Sequence, residues 1–241
     1  MLRFFRTLRQ KLLEEGQLRK YFWYAIGEVF LVVIGILIAL QINNWNEQRK
    51  EDNLSKDYLF GIKEDLNKDL QQIDRLILER SEIISLVNSI DTVFHRFTAN
   101  NPGKFDELFI TPDTTEIINL FYRGFSFRSY RGSYNAMVSD GKTSIVKNRE
   151  LLDQIQEIYD ERHQRLTSNY ESIKERELYV VTEYPFEKRD WKYTDLKKAK
   201  NERIFLDLVN LTEMKFVYTR DLLELRDEIY LAIELIEKEL N

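Results

Sequence analysis

YFWYAIGEVFLVVIGILIALQI, Tyr21 to Ile42, decides the fold. About 22 residues with a single charge are long enough to cross the hydrocarbon core of a bilayer as one helix, which satisfies its own backbone polar groups. Phe22, Trp23 and Tyr24 at one edge and Trp45 beyond the other are aromatics that settle at headgroup level. Arg3, Arg6, Arg9, Lys11, Arg19 and Lys20 precede the span against only Glu14 and Glu15, so the positive-inside rule predicts a cytoplasmic N-terminus. A cleaved signal peptide would have a shorter apolar core and a small-residue cleavage site. Here Gln41-Ile42-Asn43-Asn44-Trp45 follows, and an uncleaved anchor is the better reading.

One face of the span is unusual. Glu28, Val32, Gly35 and Ala39 fall at i, i+4, i+7 and i+11, which aligns a carboxyl group, a β-branched residue and two small residues on one side. That side is the expected partner face. An intramembrane acid costs roughly 2.5 to 3.5 kcal/mol at a helix centre and marks a functional position by default. Three roles stay open for Glu28: pairing between helices, snorkelling toward Lys20 and the cytoplasmic interface, and proton or ion chemistry.

Outward from the span, residues 1–20 form a basic amphipathic segment. Met1, Phe5, Leu8 and Leu12 make an apolar stripe opposite Arg3, Arg6, Arg9 and Lys11, which predicts a short helix lying on membrane lipids. Residues 43–241 form the exported part. Charged residues are 32% of the chain, with 8 Gly and 3 Pro in 241 residues, a composition of long amphipathic helices with few tight turns. The net charge of -5 includes a positive leader, so the rest is more acidic still and disfavours nucleic acid. The absence of cysteine excludes disulfides, thiolate metal sites and a cysteine nucleophile.

Past Trp45 the helix is predicted to continue to about Phe97. Its seam is Leu59, Ile62, Leu66, Leu70, Ile73, Ile77, Ile84, Val87 and Phe94. Asn100-Asn101-Pro102-Gly103 ends it. A second seam, Leu152, Ile155, Tyr159, Leu166, Tyr170, Ile173, Val180 and Tyr184, starts from an Asn148 N-cap and stops at Pro185. A third runs from Ile204 through Leu208, Leu211, Tyr218, Leu222, Leu225, Ile229, Ile233 and Ile236 to Leu240. The expected fold is all-α: one transmembrane helix, then an antiparallel bundle of three long helices capped by a short irregular helical insert at about 98–148. In that topology the Pro185 turn, with Phe186, Trp191, Tyr193 and several lysines, lies toward the membrane.

Within the insert, Thr111-Pro112 is expected to start a short helix through Ile117, Ile118, Phe121 and Tyr122. After it, RGFSFRSYRGSY interleaves Phe125, Phe127, Tyr130 and Tyr134 with Arg123, Arg128 and Arg131. Aromatic faces beside guanidinium forks suit an anionic or sugar-bearing ligand or a partner surface. The same residues also suit closure of the bundle, with the arginines covering the rings, and both readings stay open.

The run YAIGEVFLVVIGILIALQINNWNEQRK and the later SYNAMVSDGKTSIVKNRELLDQIQEIYD resemble the two signature stretches of a Bacteroidota family of single-pass membrane-anchored proteins, catalogued as a domain of unknown function. The resemblance implies a bacterial inner-membrane protein with a helical periplasmic domain. It brings no catalytic residues. Where that family has a Ser-Gly-Asn-type turn, this chain has Ser139-Asp140-Gly141-Lys142, a change at the surface of the turn.

No catalytic, metal or cofactor site is expected. His95 and His163 are the only histidines and neither belongs to a paired ligand motif. There is no Gly-rich phosphate loop or nucleophile elbow. The expectation is a structural or interaction module, an accessory subunit or homo-oligomeric scaffold meeting lipids and a membrane-protein partner. The alternative is a periplasmic ligand-binding or sensory domain that signals through a membrane partner, since only about twenty residues lie inside.

Overall fold

The structure is a computed structural model that describes residues 18–99, 103–115, 117–122 and 124–241. The predicted surface segment therefore lies almost wholly outside the described residues, as does Arg123. The described chain is helical, with no strand. In order come α1 (Leu18–Asn88), α2 (His95–Thr98), 3-10 turns at Asp106–Leu108 and Ile117–Phe121, α3 (Gly132–Ser139), a 3-10 turn at Thr143–Ile145 and α4 (Arg149–Gln156). A π turn at Glu157–Arg162 joins α4 to α5 (His163–Glu183), followed by α6 (Glu187–Asp190), α7 (Tyr193–Lys198) and α8 (Arg203–Leu240).

The chain divides into two units, residues 1–54 and 55–241. In the first, the part of α1 from Phe22 is long and apolar enough to cross a membrane, and none of its apolar window is buried. Val29, Phe30, Leu31, Leu37 and Ile42 are more than half exposed.

The second unit has one core. Leu59, Ile62, Leu66, Ile73, Ile84 and Val87 of α1 are buried with Leu152, Ile155, Leu166, Ile173 and Val180, and with Leu208, Leu211, Leu222, Leu225, Ile229 and Ile236 of α8. The three predicted seams thus meet one another. Asn148 caps α4 as expected, its Oδ1 accepting from the Leu151 N–H at 3.1 Å, and α5 ends at Glu183, before Pro185.

The path of the chain departs from the predicted alternation. Lys63 pairs with Glu237, Asp74 with Arg226, and Lys56 donates to the Leu240 carbonyl, so α8 runs opposite to α1. Arg162 pairs with Glu228, Asn169 bonds to Asp221 and Arg176 to Asp207, so α8 also runs opposite to α5. It follows that α5 runs in the same direction as α1. The three long helices are not an up-down-up bundle, and the insert is not a cap.

The insert makes the return. Taken in order along it, Leu108 and Ile110 bond to Ser85, Asp113 to Glu82, Phe125 to Arg80, Arg128 to Gln72, Tyr130 to Asp69, Ser133 to Asp65 and Asp140 to Tyr58. Each step along the insert is a step back along α1. The Pro185 turn consequently sits beside the end of α1, where Tyr193 bonds to Ser89 and Lys200 pairs with Asp91. That is the end of the second unit opposite Ser55.

Two shorter expectations also shift. The helix predicted to run to Phe97 ends at Asn88. The break lets Phe94 turn onto Phe216, with ring centroids 5.3 Å apart, and buries it to 1% exposure. The helix expected from Thr111-Pro112 is the 3-10 turn at Ile117–Phe121. Before it Asp113 accepts from the Thr115 N–H and hydroxyl, an Asx turn.

Candidate recognition groove

Residues 124–130 form an extended strap with no strand beside it among the described residues, so side chains must satisfy its backbone. Gln72 supplies both halves of an amide pair to Arg128, accepting its N–H at 2.7 Å and donating to its carbonyl at 2.8 Å. Asp69 Oδ1 accepts from the Tyr130 N–H at 2.8 Å, and Arg80 donates to the Phe125 carbonyl at 2.7 Å. Opposite, Glu177 accepts from the Gly124 N–H, the Tyr170 hydroxyl donates to the Gly124 carbonyl, and the Tyr218 hydroxyl accepts from the Phe127 N–H. Asp65, Asp69, Gln72 and Arg80 lie on one stripe of α1, separated by four, three and eight residues.

Several of these supports are charges removed from water. Arg80, Glu177 and Lys215 are each 1% exposed. Lys215 pairs with Glu177 at 3.0 Å, yet burial holds its ammonium below the ordinary lysine range. Arg80 lies over the Tyr218 ring at 4.7 Å. An added Cβ at Gly124 would stand 3.4 Å from both Glu177 Oε1 and Glu79 Oε1, so these groups converge closely on its backbone.

Beneath Tyr130 is a second buried polar cluster. Asp69 Oδ2 stands 3.7 Å from His163 Nε2, too far for a hydrogen bond. Neither atom has a hydrogen-bond partner among the described residues, and the same is true of the Tyr159 hydroxyl. Burial pushes the Asp69 carboxyl up to about 7, against the pull of the Tyr130 N–H. Burial, with the nearby Arg131 guanidinium adding to it, pushes His163 down to about 3. The geometry is that of a neutral imidazole beside a carboxyl that readily keeps its proton, rather than an ion pair. The π turn that closes this cluster is a feature found often at functional sites.

The aromatic and arginine run predicted as one surface divides between core and solvent. Phe127 and Tyr134 point into the core, at 5% and 3% exposure, with Tyr134 stacked on Tyr159 at 4.6 Å. Phe125 is 75% and Tyr130 49% exposed, and Arg128 faces solvent with them. Arg131 is half-buried, near Asn135 and Asp160. The outward residues line an open groove of about 1010 Å³ with Lys68, Gln71, Arg75 and Glu79 of α1 and Tyr170, Glu171 and Lys174 of α5. Along α1 the predicted partner face stays open: Val32 is 59% exposed, Ala39 is exposed, an added Cβ on Gly35 would meet no atom within 4 Å, and Glu28 is half-buried.

Sequence reasoning missed Asp65, Asp69, Gln72, Arg80, Glu177 and Tyr218 as supports of this surface. The available signal was the polar stripe on α1 beside its apolar seam.

A family model described as a family of unknown function, DUF6090, matches residues 28–217. No curated protein and no solved structure matches. The matched stretch takes in most of α1, the strap and all of α5, and the chain belongs to that family.

Proposed function

We propose that this member of the family is a non-catalytic interaction module anchored in the bacterial inner membrane by one helix, with its N-terminus cytoplasmic and residues 43–241 periplasmic. It acts as an accessory subunit, or as a scaffold of identical copies, through the groove beside the strap and the Glu28, Val32, Gly35 and Ala39 face of the span. One observation carries the reading. Buried charged side chains and the half-buried Gln72 amide hold residues 124–130 extended, and the result is an outward surface with Phe125 at 75% exposure. A chain needing only a return path has no use for so much buried polarity, because each buried charge costs several kcal/mol before it is paired.

Purification in mild detergent from native membrane, followed by mass measurement, tests this. The expected result is a stoichiometric complex, with a second protein or with further copies, that is lost in a Phe125→Ala, Arg128→Glu variant of unchanged melting temperature. A monomer in both preparations refutes the reading. The second reading, a periplasmic ligand-binding or sensory unit, is favoured by the groove's size, since about 1010 Å³ is ample for a small molecule. It predicts thermal stabilisation by a soluble ligand with no protein partner.

A further inference from the structure

The groove has a definite chemistry beyond being open. Four cations line it: Lys68, Arg75, Arg128 and Lys174. Lys68 is engaged by Asp65 at 3.5 Å and Lys174 by Glu171 at 3.1 Å. Arg75 and Arg128 are both exposed, and neither guanidinium has an acidic partner among the described residues. Two free forks thus face one groove, and a planar fork binds a carboxylate through two parallel hydrogen bonds. Between them the groove offers apolar and aromatic surface, the Phe125 ring and the Tyr130 ring, the latter with Lys68 at 5.6 Å from its centroid. The α1 wall runs from Lys68 to Glu79, about 16 Å at 1.5 Å per residue. An extended peptide covers that length with about five residues at 3.3 Å each. The exposed Gln71 amide on this wall can both donate to and accept from a peptide group.

We propose that this groove binds a short extended acidic segment of a protein partner, its carboxylates held by Arg75 and Arg128 and an apolar side chain laid on Phe125. The assignment rests on the interaction reading above and names the partner's chemistry. The occupant is matched by charge: an unpaired guanidinium pair recruits carboxylates, and the 75% exposed Phe125 ring leaves an apolar anchor for a side chain to cover. The strap's backbone is held from below by Gln72, Asp69 and Arg80, so the surface is formed before binding and little ordering entropy opposes capture.

The test is selection from a phage-displayed random heptapeptide library on the full-length protein in lipid nanodiscs. The expected winners carry two or more Asp or Glu with a Phe, Leu or Tyr. Their binding weakens about tenfold or more in Arg75→Glu, Arg128→Glu protein, two charge-assisted contacts being removed, and falls as salt rises. Phe125→Ala weakens the same peptides while leaving the melting temperature unchanged. Selection of neutral or basic peptides, no enrichment at all, or equal binding by the double variant overturns the proposal. Tighter binding of an oligogalacturonate than of any selected peptide would overturn it too, by assigning the groove to an acidic glycan. If no acidic peptide is selected while the purified complex still depends on Phe125, the peptide assignment falls and the interaction reading stands.

Discussion

Asp69 and His163 should cancel each other's effect on stability, and breaking the pair should expose two slopes of opposite sign. Asp69 is raised from 3.8 to about 7 in the folded protein and His163 lowered from 6.5 to about 3. Between pH 4 and 6.5 the unfolded chain holds one proton on the pair, on the histidine. The folded chain also holds one, on the carboxyl, so the pair adds no slope there. Asp69→Asn leaves His163 alone. Its depressed folded value makes its contribution complete above 6.5 and lost as pH falls toward 3, so the variant should gain stability with rising pH at about 1.4 kcal/mol per unit. His163→Gln leaves Asp69 alone. Its raised folded value makes its contribution complete below 3.8 and lost as pH rises through about 7, so this variant should lose stability with rising pH at a similar rate. Across pH 4 to 6.5 each departs from the parent by about 3 kcal/mol, in opposite directions. Urea unfolding of the full-length protein in mild detergent, followed by circular dichroism, reads the difference between variant and parent, in which the other titrating groups drop out. Two slopes of the same sign, or two profiles parallel to the parent, would refute the neutral-pair account.

Other outcomes follow from the packing. Gly61→Ala places a Cβ 2.7 Å from Ser133 Oγ and 3.1 Å from its Cβ. It should therefore cost about 1 to 3 kcal/mol of urea stability despite alanine's better helix propensity, and become stabilising in a Ser133→Gly background. Glu177→Gln keeps an acceptor for the Gly124 N–H but leaves buried Lys215 unpaired, and should cost about 3 kcal/mol. Adding Lys215→Met should recover most of that loss, which the same unfolding assay measures. In the span, Glu28→Gln and Gly35→Leu should weaken assembly in detergent if their face is an interface, and unchanged mass in both variants would count against that role.

The seams were legible because burial leaves a period. Leu59 through Val87, Leu152 through Tyr184 and Ile204 through Leu240 repeat at helical spacing, and the buried residues are largely those. Direction was not legible, since a periodic face says which side of a helix is covered and nothing about which way its neighbour runs. With about sixty residues between α1 and α4, the chain could fold back as a second helix or return first as a strap, and apolar spacing is the same in both cases. What distinguished them was polar. Asp65, Asp69, Gln72 and Arg80 resemble a solvated stripe until the backbone of residues 125–133 is laid against them. The cluster from Phe125 to Tyr134 was visible as composition, but its division was not: Phe127 is buried and Phe125 exposed, although a strict period of two would face both the same way.

The central claim is that the surface around Phe125 meets another molecule in the cell. Replacing Phe125 with p-benzoylphenylalanine in the full-length protein and irradiating intact cells tests it directly, with the exposed Leu206 as control. One discrete adduct at position 125, absent at position 206 and absent when Arg75 and Arg128 are reversed to glutamate, is the expected result. No adduct at position 125, or the same products from both positions, would contradict the claim.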